Sequence, residues 1–204
     1  MQFVLASGSP RRRELLASLG INFVVIKSDI DETQHPGESP YAYVRRLSIE
    51  KAEAVVARLS EPSLVLAADT VVILAADTIG VTAEGDVLGK PVDSDEAHVM
   101  LRRLRARDHI VCTALTLLQP DSHAISTELT RTTVTLRDYS DAEIDAYIAT
   151  GDPFDKAGGY AIQHEGFHPV DHIDGSYSNV VGLPLETLKS MLDQIGYAAD
   201  GSQP

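Results

Sequence analysis

The sequence predicts an α/β protein: a mixed, twisted β-sheet with flanking helices, arranged as two lobes around a cleft. Three observations carry that expectation. Short apolar runs such as Phe3 to Ala6 and His109 to Leu118 alternate with stretches of helical period. Those stretches open on capping residues: Ser9-Pro10, Ser39-Pro40, Ser94 and Ser140. A hairpin signal at Glu84-Gly85 and a Thr/apolar alternation over Thr127 to Leu136 add antiparallel pairing to an otherwise βα pattern.

The first strand is Phe3 to Ala6. Ser7-Gly8 is turn chemistry, Ser9 is an N-cap, and Pro10 stands where a missing N–H costs nothing. Leu15, Leu16 and Leu19 line one helix face, and Gly20 stops the helix. Arg11, Arg12 and Arg13 crowd the first turn of this helix, where each cation is unfavourable by up to about 1 kcal/mol. Such a turn suits an anion, and phosphate is the usual guest at a helix N-terminus. Ile21 to Ile26 reads as a strand, followed by an acidic loop, Ser28 to Thr33, and a helix in which Tyr43, Val44, Leu47, Ala52, Val55 and Val56 recur at helical spacing. Ser63 to Ala68 is a strand. The helix after Ser94 buries Ala97, Met100, Leu101 and Leu104, and the helix after Ser140 carries Ile144, Tyr147 and Ile148. The last helix ends near Ile195-Gly196.

With 204 residues the chain can form one large domain, expected over residues 1–197, with 198–204 as a disordered tail. The hydrophobic share of 44% and charged share of 23% are those of an ordinary globular protein. No apolar run approaches a membrane span, and no charged-then-apolar leader precedes the first strand. The single cysteine, Cys112, excludes an intrachain disulfide and reads as a buried, inert thiol. A cytoplasmic protein with no membrane partner is expected. A net charge of −13 opposes nucleic-acid binding, which needs a basic footprint, and leaves the arginine turn as a local site for a small anion.

Several motifs fail on context. His164-Glu165-Gly166-Phe167-His168 matches the zinc-protease pattern, but the glycines around it and Pro169 after it make a loop, not the helix which that chemistry needs. Gly85 to Pro91 falls one residue short of a Walker A loop and has Pro91 where magnesium needs a hydroxyl. Ser7 and Ser9 have no nucleophile elbow and suit contacts with phosphate oxygens. What remains is a dispersed set of cations, Arg11, Arg12, Lys51, Lys90 and Lys156, with the carboxylates Glu32, Asp155 and an aspartate that occurs twice, in Ala68-Asp69-Thr70 and Ala76-Asp77-Thr78. An acid inside an apolar run needs a cation, a metal or a catalytic duty.

Leu5 to Arg12, Asp31-Glu32-Thr33, Glu50-Lys51-Ala52, Ala-Asp-Thr, Gly89-Lys90-Pro91, Asp155 to Gly158 and Val181 to Leu185 together resemble the Maf family, in family order. The resemblance implies an inosine-triphosphatase-like fold. It also implies hydrolysis of a nucleoside triphosphate between its α and β phosphates, with a divalent metal, Mg2+ or Mn2+, as cofactor. The Asp-Thr pair and Gln163 resemble the branch acting on dTTP and UTP, and a homodimer fits the same resemblance. Ser7, Ser9, Arg11, Arg12, Lys51 and Lys156 are then expected at the substrate, Lys90 at the catalytic centre clamping the triphosphate, Gln163 on the pyrimidine edge, and Glu32 with the buried aspartate on the metal. A different class also stands: a nucleotide-sensing, division-linked binding protein with little or no turnover, for which the duplicated segment is the motive.

The duplication leaves two candidates for the catalytic acid. An offset of eight puts both aspartates on one face of a continuous strand, but ~26 Å apart. With the turn at Glu84-Gly85, Asp77 and Lys90 lie at similar distances from the hairpin tip, which favours Asp77 with Thr78. If the second copy instead bulges outward, Asp69 keeps the site.

Overall fold

The computed structural model describes residues 1–74, 85–119 and 124–197. Strands β1 (Gln2–Leu5), β2 (Val24–Val25), β3 (Ser63–Leu74), β4 (Asp86–Leu88), β5 (Asp108–Gln119), β6 (Ala124–Leu136) and β7 (Val170–Asp174) form one seven-stranded sheet. Its order is β2-β1-β3-β5-β6-β7, with β4 paired to β3. It is mixed: β1 runs parallel to β2 and β3, while β3/β4 and β6/β7 are antiparallel. The helices are α1 (Pro10–Ala17), α2 (Pro40–Val56), α3 (Ser94–Leu104), α4 (Asp141–Ile148), α5 (Tyr177–Val181) and α6 (Leu185–Gln194). The expected serine caps form at Ser9, Ser39 and Ser140, the last as a full capping box with Glu143. At α3 the cap is Asp93, one residue before the expected Ser94, because its carboxylate reaches the Glu96 N–H. The strand expected over Ile21 to Ile26 is only Val24–Val25. The tail 198–204 lies outside the described residues.

The chain divides into two compact units, one of residues 1–69, 113–130 and 181–204, the other of 70–112 and 131–180. In the first, strand alternation sorts the core onto two faces. Phe3, Leu5, Leu64, Leu66, Ala68, Leu115 and Leu117 pack with Leu16 of α1 and with Leu188, Met191 and Leu192 of α6. Val4, Ala6, Val65, Ala67 and Leu118 pack with Ala52 and Val55 of α2. Each fully buried leucine here is worth roughly 2 kcal/mol. Asp69 continues the Val65, Ala67 parity, which aims it toward the α2 side.

The second unit has its own core, in which Val72, Leu74 and Leu88 join Ala97, Leu101 and Leu104 of α3, Ile144, Tyr147 and Ile148 of α4, and Tyr139, Tyr160 and Phe167. Cys112 is buried, and burial pushes its thiol up to about 11, an inert state. Residues His164 to His168 are not helical, and His164 accepts the Gly166 and Phe167 N–H groups at 3.1 and 2.9 Å through Nδ1, a loop cap rather than a zinc ligand.

The hairpin register differs from one counted outward from Glu84-Gly85. Leu74 pairs with Asp86, Ile73 with Val87 and Val72 with Leu88. Continued by two residues, that register brings Thr70 level with Lys90, while Asp77 lies outside the described residues. The physical reason is Gly85. Its φ is +90°, and a Cβ there would stand 2.4 Å from the Leu74 carbonyl oxygen. Only glycine allows that approach, and it pins the strands at Leu74. β3 runs on through the first Asp-Thr pair for twelve residues instead of ending at Ala68.

Candidate functional site

In the first unit the site is built on the end of β1, the first turn of α1, the middle of α2 and β3. Ser7 is buried at the end of the β1 segment and its Oγ accepts the Ser9 N–H at 3.2 Å. Ser9 Oγ accepts the Arg12 N–H at 3.4 Å. Arg12 is turned inward by its partners. Nε donates to the Gly182 carbonyl at 2.9 Å, and Nη1 to the Ala68 carbonyl at 2.7 Å and to Ser7 Oγ at 3.4 Å. One guanidinium thus fixes the serine turn, the Gly182 bend and the backbone just before Asp69. Arg11 is half-buried beside it.

Lys51 and Asp69 form the centre. Lys51 is only 7% exposed, and its Nζ lies 2.5 Å from Asp69 Oδ1 and 2.8 Å from Glu32 Oε1. Two carboxylates therefore converge on one ammonium. They differ in exposure: the Asp69 side chain is 10% exposed and the Glu32 side chain 52%. Burial pushes the Asp69 carboxyl above the ordinary range, and Lys51 and Arg12 pull it back. The Glu32 backbone is tethered, since Tyr43 Oη donates to its carbonyl at 2.7 Å, and the neighbouring Thr33 carbonyl accepts from Arg46 at 3.1 Å. Sequence reasoning missed Tyr43; its only signal was helical spacing, which reads as core.

The second unit holds Lys90, Lys156 and Gln163. Lys90 is exposed after β4. The Gly158 N–H donates to the Gly89 carbonyl at 2.9 Å, which draws the Lys90 and Lys156 segments together. Lys156 is 7% exposed, with Nζ 2.8 Å from Asp152 Oδ1, 2.7 Å from the Asp152 carbonyl and 2.5 Å from Asp155 Oδ1. Gln163 is exposed in a turn following Tyr160. Asp77 and Thr78 lie outside the described residues.

The donor set tests the metal expectation. No group of three or more His, Cys, Asp or Glu side chains suited to a metal occurs among the described residues. The paired oxygens of Glu32 and Asp69 nevertheless suit a hard divalent ion that takes one or two carboxylates and completes its shell with phosphate and water. Among the described residues no helix is long and apolar enough to cross a membrane.

The dTTP/UTP pyrophosphatase of Myxococcus xanthus (strain DK1622) is 48% identical over 193 residues, covering 95% of this chain and 92% of that protein. The protein of the same name from Syntrophus aciditrophicus (strain SB) is 46% identical over 194 residues, covering 93% and 90%. The solved structure of the Staphylococcus aureus Ham1 protein aligns over 96% of this chain and 100% of its own at 14% identity and a TM-score of 0.48. A family model described as Maf-like protein matches residues 2–195, and the chain belongs to that family.

Proposed function

We propose that this protein hydrolyses dTTP and UTP to the monophosphate and pyrophosphate, with Asp69 as the catalytic acid-base group. The relatives named for that activity support the substrate class, and the convergence of Glu32 and Asp69 on Lys51 carries the site.

The chemistry follows from the side chains. Ser7 and Ser9 act as acceptors in their internal bonds, so each keeps a hydroxyl proton for a phosphate oxygen. Arg11, Arg12 and Lys51 set positive charge against the triphosphate. Asp69 orients a water and takes its proton as that oxygen bonds to the α-phosphorus. The bond from the α-phosphorus to the bridging oxygen breaks, and pyrophosphate leaves with the electron pair. A carboxyl raised by burial is better suited to hold that proton than an ordinary aspartate. Glu32 and Asp69 would hold Mg2+ or Mn2+, which when bound offsets charge on the phosphate oxygens. Lys156 and Gln163 serve the nucleotide, Gln163 offering a donor and an acceptor to a pyrimidine edge.

The test is a nucleotide panel with pyrophosphate detection. Pyrophosphate and the monophosphate should appear from dTTP and UTP, and Asp69→Asn should lower kcat by a factor of about 1,000 or more, as expected for removal of a general base and its charge. Release of orthophosphate would mean a different bond is cut. Full activity in Asp69→Asn with loss in Asp77→Asn would move the chemistry to the second copy. A nucleotide-induced rise in melting temperature without turnover would favour a sensor.

A further inference from the structure

The second unit contains a buried polar link that the proposed chemistry does not use. Tyr147 in α4 is 1% exposed, and its ring stacks on Phe167 with centroids 4.4 Å apart. Such a tyrosine could be phenylalanine unless its hydroxyl has work. It has two partners. Oη donates to Asp152 Oδ2 at 2.9 Å and accepts the Ala161 N–H at 3.0 Å. Asp152 uses its other oxygen, Oδ1, on Lys156 Nζ at 2.8 Å. One hydroxyl therefore joins the carboxylate that holds Lys156 to the backbone two residues before Gln163.

The charges agree with this arrangement. Burial, and then Asp152, push the Tyr147 hydroxyl well above its ordinary value, so it remains a donor. At Asp152 burial works upward, but the bonds from Lys156 and Tyr147 outweigh it and keep the group ionised. The Lys156 ammonium is also held by Asp155, so Asp152 does not serve as its sole counter-charge. What Asp152 adds is direction, because its two oxygens relate Lys156 to Tyr147.

We infer that Tyr147 is a positioning residue for nucleotide recognition, setting Lys156 through Asp152 and the Gln163 segment through the Ala161 N–H. This rests on the reading above that Lys156 and Gln163 meet the nucleotide. Tyr147 itself touches neither substrate nor reacting atoms.

The experiment compares Tyr147→Phe, which keeps the ring and its stacking, with Asp152→Asn, which keeps the shape of the acid. Steady-state kinetics on dTTP and UTP and melting curves are measured for the full chain, with Lys156→Met and Gln163→Ala alongside. Loss of a hydrogen bond to a charged group should raise KM about tenfold in Tyr147→Phe, with kcat within a factor of about two. Asp152→Asn should show the same split. A lowered melting temperature with KM unchanged in both variants would make the link purely structural and overturn the inference. If Tyr147→Phe does not fold, the KM of Asp152→Asn decides alone. Unchanged KM in both Lys156→Met and Gln163→Ala would instead refute the recognition reading on which the inference stands, whatever Tyr147→Phe does.

Discussion

A lysine in the middle of a helix ordinarily faces water, and Lys51 does not. It is buried on α2, and its ammonium meets Asp69 and Glu32. Removing one partner of a buried pair costs more than the pair is worth, because the other charge is left without compensation. Lys51→Met should therefore lower unfolding free energy by about 3 kcal/mol, read as a fall in the urea midpoint. Adding Asp69→Asn to that variant should recover part of the loss, since the stranded charge is gone. At this scale the sequence singles out candidate polar residues and not what they touch. Arg12 was legible as a cation at a helix start, but its bonds to the Ala68 and Gly182 carbonyls arise from residues 56 and 170 positions away.

At the scale of elements, local signals were mostly sufficient. Serine caps, proline at the first helical position and the 3.6-residue apolar spacing describe short-range physics, and α1, α2 and α4 start at the expected caps. The β3/β4 hairpin went otherwise. Its register depends on Gly85 lying against the Leu74 carbonyl, a contact between strands. An alanine there would take a left-handed conformation and meet that oxygen, so Gly85→Ala should cost about 2 kcal/mol in urea unfolding. An unchanged midpoint would mean that the register is held elsewhere. Symmetry about Glu84-Gly85 leaves out the pairing of Val72 to Leu74 with Asp86 to Leu88.

For the molecule as a whole, each unit carries its own core, and the second buries a histidine. His109 is 2% exposed, with Nε2 2.7 Å from the Tyr160 hydroxyl. Burial lowers its pKa from an ordinary 6.5 to about 4. Between those values the unfolded chain binds a proton that the folded chain refuses. Its stabilising contribution is complete above pH 6.5 and is lost as pH falls toward 4, by about 2 kcal/mol at pH 5 and about 3 kcal/mol at pH 4. Urea unfolding at pH 7.5 and pH 5 should show this decline, and His109→Gln should flatten it. An equally steep decline in that variant would assign the acid limb to other groups.

Composition, caps, periodicity and the ordered motifs by themselves determined the α/β class, the starts of α1, α2 and α4, the family and the roster of polar residues, because each is written in neighbours along the chain. Only the tertiary structure decided that Asp69 and Glu32 both meet Lys51, that β3 passes through the first Asp-Thr pair, and that Tyr147 joins Asp152 to Ala161. Those contacts depend on strand register and on which helix covers which sheet face, and both are settled by packing between segments far apart in sequence.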